Sequence, residues 1–433
     1  MSGDQDRASG PAPDPAELLR RFKPQLLYDS QEAFFADSVA EMTDNPGNEL
    51  RRAPAGDGGA GELIAAANEA DPERRLRLSL LGAPTYANGE AAEPSDRLGI
   101  KGSNYRDQYV RLRVAHPELK NRIYGHAQTD SDGRLWLQYW FWYFYNDYHL
   151  AADFGLHEGD WEMVQFRIHD GEPDLAVYAQ HRNAEKRVWS GVKRLAENED
   201  TPLVYPGRGS HASYFEPGLY ETEAWFDIAD GKRRTPELQL EIVQDDDPPW
   251  IAWPGIWGDT RPELAGLEQP SPSGPARHRQ WQDPKLLLEG ALTRAPKQPP
   301  PAPEVVVTLE SRTLRVRYDF TAHTGPPPAQ LVVTVNSVDE RGVPPRSFTF
   351  DVSGARAGEV SPPLAVEPDR HYDVYTSVVG MEGGAGLPSA SSLTQIEPGG
   401  RSQVFTQTVL SSVKRVLWSI SQLFRRVTRS RRR

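Results

Sequence analysis

The chain contains no cysteine. Disulfides, thiolate zinc sites and cysteine nucleophiles are thereby excluded, and the redox compartment stays undecided. No stretch approaches the ~18 uninterrupted apolar residues of a spanning helix. The start, MSGDQDRASGPAPDPAELL, also lacks the apolar core of a secretion signal. The expectation is a cytoplasmic protein with, at most, peripheral membrane contact. Positive charge is short: the formal net charge is −12. This argues against general nucleic-acid binding, because phosphate contacts need a Lys/Arg surface. The shortage is uneven. Residues 401–433 hold nine Lys/Arg and no Asp or Glu, leaving 40 basic and 61 acidic side chains, or −21, on the rest.

What is present points to a globular, mainly β chain. Its 433 residues are enough for two cores, and 38 Pro and 36 Gly imply many turns between short strands. Residues 1–15, rich in Gly, Pro, Asp and Ser, read as disordered, and residues 53–75 as an Ala/Gly/Asp-rich loop. From Arg134, RLWLQYWFWYFYND is apolar on both parities, as a strand buried between two layers should be. WEMVQFRI alternates instead, and LAVYAQH (175–181) and PLVY (202–205) supply further strands. The Pro- and Trp-rich run DDDPPWIAWPGIWGDTRPEL reads as a cover over this first β-sandwich, spanning 16–294. A polyproline spacer at 295–304 leads to a second, fibronectin type III-like sandwich at 305–397, with strands in VVVTL, TLRVRYDF, QLVVTVNSV, SFTFDV and HYDVYTSVVG. Residues 401–433 read as a basic amphipathic α-helix. Lys414, Arg415, Trp418, Phe424, Arg425 and Arg426 are its candidate contacts to an anionic membrane, and a docking site on a protein partner is the alternative.

The chemistry concentrates around HEGDWEMV. Asp160 and Glu162 are two apart on a strand, so they share the face of Val164, Phe166 and Ile168 at the rim of an apolar layer. Carboxylates ~5–7 Å apart there repel, so one keeps a proton or a cation sits between them. His157 in the preceding turn and Asp147 at the end of the aromatic strand can join. Such an oxygen-rich set favours Mg²⁺, Ca²⁺ or Mn²⁺. If His157, His181 and His211 converge, zinc becomes the alternative. The plainer reading makes Trp161 a core aromatic and lets the carboxylates cap turns or pair with Arg167 and Arg208. His116, His126, His149, His169, His278, His323 and His371 read as surface or turn histidines. His157-Glu158 fails as a zincin motif because position 161 is Trp, not His.

His157-Glu158-Gly159-Asp160-Trp161-Glu162-Met163-Val164, then Gln180-His181, then Gly209-Ser210-His211-Ala212-Ser213-Tyr214, resembles the Vps62-related (DUF946-like) pattern. The resemblance runs from about Arg21 to Trp281. The central block is also similar to the H-x-x-D-W-E core of necrosis-inducing NLP cytolysins. That similarity implies a β-sandwich with a divalent ion held by His157, Asp160 and Glu162, joined less directly by Asp147 and His211; the loop from Asp147 to His157 is longer than in the cytolysins, which makes Asp153 the alternative to Asp147. Trp161, Gln180, His181, Arg208 and Ser210 would then surround the ion or its ligand. The resemblance also implies recognition of membrane lipid or glycan head groups. A metal-dependent hydrolase with His157, His181 or His211 as general base is the second reading, and a scaffold docking through the C-terminal helix the third. Binding is preferred to catalysis, since no nucleophile and base appear at diagnostic spacing.

Overall fold

The computed structural model describes residues 13–52, 61–100, 104–148, 156–181, 183–221, 226–258, 271–293, 295–297, 299, 303–322, 328–338, 345–380, 389–399 and 401–405. The readings placed on residues 1–12, on His149, Asp153 and His323, and on the membrane-contacting residues of the tail lie outside these. The chain is mainly β, with several sheets and few helices.

Its central sheet has seven strands. Five run antiparallel in sequence order: Arg122–Thr129, Leu135–Asn146, His157–His169, Glu172–Gln180 and Asn183–Val188. Gln239–Ile242 and Ala291–Leu292 add in parallel at the two edges. The aromatic strand Leu135–Asn146 is apolar on both parities because both faces of this sheet are covered. One face carries Tyr139, Tyr143, Val164, Phe166 and Tyr178. It packs on a smaller sheet in which Gln25–Tyr28 lies parallel to Asn198–Pro206 and Ser213–Tyr214 closes the edge. Contacts across this layer include Tyr178 stacked on Phe215 at 3.7 Å and Phe166 edge-on to Trp189 at 5.2 Å.

The opposite face carries Trp140, Trp142, Trp161 and Met163, and the Trp-rich coil does cover it. Trp250, Trp253, Trp257 and Trp281 are all buried. Trp257 sits 5.8 Å from Trp142, and Trp281 sits 5.8 Å from Trp140. Burying these four indoles on one sheet face removes a large apolar area from water. His126 departs from the expected surface position. It is buried and stacked on Trp281 with ring centroids 3.7 Å apart.

Two other local readings change. Glu62–Ala66, inside the stretch read as loop, is a strand paired with Glu49–Arg52; Ile64, Ala65 and Ala66 are buried there. Arg401–Phe405 is likewise a strand, paired with Ser392–Glu397, so the first residues of the basic tail extend a sheet. That sheet has five strands and faces a three-stranded one, Val305–Glu310, Thr313–Asp319 and Ala357–Val360. The two enclose a second apolar cluster around Val307, Val316, Leu331, Val333 and Val374. Polar contacts join this unit to the first: Gln31 Nε2 donates to Ser377 Oγ at 3.0 Å, and Lys232 Nζ donates to the Ser391 carbonyl at 3.1 Å.

Candidate functional site

The pleat puts Asp160 and Glu162 opposite Tyr143 and Phe141 of the aromatic strand, on the face of Val164 and Phe166. The strand kinks just before them. Gly159 has φ +66°, and a Cβ there would lie 2.3 Å from the Trp257 carbonyl oxygen and 2.4 Å from the Trp142 ring. Only glycine lets the backbone pass between those groups. His157, on the other side of the kink, is buried and donates from Nδ1 to the Gly159 carbonyl at 2.7 Å. That bond leaves Nε2 as the lone-pair nitrogen, and burial holds the ring below the usual histidine range despite nearby Asp160. Glu158 faces elsewhere, accepting from the Ile100 amide and the Tyr105 hydroxyl, both at 2.7 Å.

The loop Gly207–Ala212 delivers His211 over this face. It closes on itself through Gly207 N to Ala212 O at 2.8 Å, and His211 adopts φ +56°. A non-glycine residue in the left-handed region stores strain that surrounding contacts must hold. Here the imidazole stacks on Tyr143 at 3.8 Å, with Nδ1 2.9 Å from Asp160 Oδ2 and Nε2 3.6 Å from Glu32 Oε1. Burial opposes the imidazolium, but Glu32 and Asp160 outweigh it and raise His211 to about 9. Burial likewise opposes charge on Glu32. The cation of His211 and the amides of Gly209 and Phe34 overcome it and hold that carboxyl below the usual range. His211 is thus a charged link between two carboxylates.

A second pair stands nearby. Asp227 Oδ2 lies 2.9 Å from His181 Nε2 and also accepts from the Tyr214 hydroxyl. Burial raises this carboxyl, but His181 and Tyr214 lower it further, so it stays charged. Between the two pairs is Glu162. Among the described residues no group hydrogen-bonds to it. Burial first, then the charges of Asp160 and Asp227, push its carboxyl well above the usual range. Among the described residues, Ser213 Oγ and Gln180 Oε1 are buried without a hydrogen-bond partner. Gln180 Nε2 is engaged by the Ser213 carbonyl at 3.1 Å and by Glu185 at 3.3 Å.

The remaining candidates are placed outside this group. Asp147 pairs with Arg106 at 3.5 Å. Arg208 clamps Asp29 through Nε at 2.8 Å and Nη2 at 3.3 Å, and Arg167 is held by Asp174. Neither arginine pairs with Asp160 or Glu162. Trp161 is core, 5.2 Å from Trp142. Glu32, Asp227 and Tyr143 were not read as site residues: Tyr143 looked like one core aromatic among many, and Glu32 and Asp227 are brought to the site by segments far from HEGDWEMV in the chain.

Among the described residues, no three His, Asp or Glu side chains are grouped so as to hold a metal ion. Magnesium in general needs only one or two carboxylates, with water and ligand oxygens completing the shell; Glu162 stands beside Asp160 and Asp227, and among the described residues no cation lies against it. A protein cage of five ligands is not what these residues form.

No family model matches the chain, and no curated protein matches it. Among solved structures, Necrosis and Ethylene inducing Protein 2 from the causal agent of cocoa's Witches Broom disease is 13% identical, with a TM-score of 0.29, over 68% of this chain and 98% of that one. NLPPya in complex with mannosamine is 13% identical, with a TM-score of 0.25, over 54% and 76%. A structure titled "Myokine structure" is 15% identical, with a TM-score of 0.18, over 26% and 100%. These are weak likenesses, and the site is read from its own residues.

Proposed function

We propose that this chain binds the polar head group of a glycan or glycolipid at the mouth formed by Asp160, Glu162 and Asp227, through a hydrated divalent cation, magnesium or calcium. Glu162 carries the proposal: a buried carboxylate with no hydrogen bond among the described residues, beside two more carboxylates, is the group a hard cation stabilises most. When bound, the cation supplies positive charge and coordination positions for ligand oxygens. The chain's own part is to hold Asp160 in place through His211, to present Glu162, and to offer the buried hydroxyls of Ser210 and Ser213. The basic tail, through Lys414, Arg415, Trp418, Phe424, Arg425 and Arg426, would add affinity for an anionic membrane.

Calorimetry of the full chain with magnesium or calcium chloride, then with mannosamine, glucosamine and glycolipid vesicles, tests this. Cation uptake and cation-dependent binding are expected, weakened at least tenfold in Glu162→Gln, with EDTA abolishing head-group binding. Binding that survives both EDTA and Glu162→Gln unchanged overturns the proposal, as does the absence of any cation uptake.

A further inference from the structure

Between the helix Tyr105–Ala115 and the five-stranded sheet of the C-terminal unit lies a cavity of about 480 Å³. Its walls carry four arginines: Arg106 and Arg111 from the helix side, Arg346 and Arg370 from the sheet side. Two carboxylates, Asp107 and Glu367, are also there, so the lining is net positive in a chain of net charge −12. Both carboxylates have other work. Asp107 accepts from Asn104 Nδ2 at 2.5 Å, and Glu367 pairs with Arg312, whose side chain is exposed. Arg111 and Arg346 form no ion pair among the described residues, and they face the cavity from opposite sides. Val335 and Tyr372 form a firm apolar floor, and the Tyr372 hydroxyl accepts from the Glu367 amide at 2.9 Å. A concave, partly apolar surface concentrates the field of such charges, and the volume is that of a small-ligand site.

We propose that this cleft is a separate anion site that takes a phosphate group, carried by a soluble phosphomonoester or by a lipid head group. Arginine matches phosphate geometrically, since its planar fork donates two parallel hydrogen bonds. A carboxylate is satisfied by one such fork. A tetrahedral dianion can accept from guanidiniums on two walls at once, which is the arrangement here. Occupancy would bridge the helix and the C-terminal sheet, so ligand also stabilises the chain against unfolding. The inference does not depend on the acidic mouth.

The test is binding of inorganic phosphate and of glycerol 3-phosphate to the full chain, followed by calorimetry and phosphorus NMR. Parallel sedimentation uses phosphatidylcholine vesicles with and without phosphatidic acid. Saturable phosphate binding is expected. Arg111→Gln and Arg346→Gln each raise Kd about tenfold, as loss of one charge-assisted contact should, while Arg317→Gln, outside the cleft, leaves it unchanged. Both cleft residues are exposed, so these variants should fold, and their thermal midpoints without phosphate confirm it. Vesicle binding that falls in the Arg111/Arg346 double variant assigns the phosphate to a lipid. Vesicle binding indifferent to it, with phosphomonoester binding that does fall, assigns a soluble ligand. No saturable binding of either phosphate probe and no variant-sensitive vesicle binding overturns the inference, as does equal affinity in the double variant.

Discussion

Replacing Arg113 with alanine is expected to lower the unfolding free energy by about 3–5 kcal/mol, because it leaves buried carboxylate charge without a counterion. Arg113 and Asp37 are both buried, with Nε 2.9 Å from Oδ2 and Nη2 3.4 Å from Oδ1. Asp37 also accepts from the Tyr109 hydroxyl and the Asn121 amide, each at 2.6 Å, so it cannot move out to water. The guanidinium lies 5.0 Å from the Phe35 ring centre and 5.4 Å from that of Tyr109, and this packing is lost as well. Chemical denaturation of wild type and variant at neutral pH measures the change; a loss under about 1 kcal/mol would place the pair among interactions of little net worth. Glu41, buried in the same network, behaves in the opposite sense. Burial, then the charge of Asp37, pushes its carboxyl well above the usual range, although Arg113 opposes them. A folded-state value above the unfolded one means that its stabilisation is complete below the ordinary carboxylate range, about pH 4, and is lost as pH rises through the folded value. Glu41→Gln removes that loss. The variant should match wild type in acid and exceed its thermal midpoint near neutrality, and a gap that shrinks with rising pH would contradict this.

Gly159→Ala should cost about 2–5 kcal/mol, combining the left-handed backbone penalty with steric overlap in a packed layer. The added methyl meets the Trp257 carbonyl and the Trp142 ring, both held by the other indoles of the cover. Near-ultraviolet circular dichroism should change along with the unfolding midpoint, since Trp142 and Trp257 must shift. Gly133→Ala is the control. That glycine also has positive φ, +78°, but nothing lies within 4 Å of the added carbon. It should lose only the backbone part, about 1–2 kcal/mol. Equal losses in the two variants would show that the indole contact contributes nothing.

Asp160 and Glu162 share a face with Val164 and Phe166 because side chains on a strand alternate whatever surrounds them, and that was readable from residues two apart. The double parity of Leu135–Asn146 and the Trp-rich cover were readable for a similar reason: apolar surface on both faces requires two layers. The partners were not readable. Arg167 and Arg208 were equally available to the motif carboxylates, yet they close on Asp174 and Asp29. His211 lies between Asp160 and Glu32, and His181 against Asp227, and the spacing of their motif blocks along the chain says nothing of these partners. Charge interactions in a buried mouth are decided over a few ångströms, a precision that spacing along the chain does not hold. The sequence by itself determined that two carboxylates stand at the rim of an apolar strand. Only the tertiary structure decided that Asp160 pairs with a histidine from a distant loop while Glu162, among the described residues, has no cation against it.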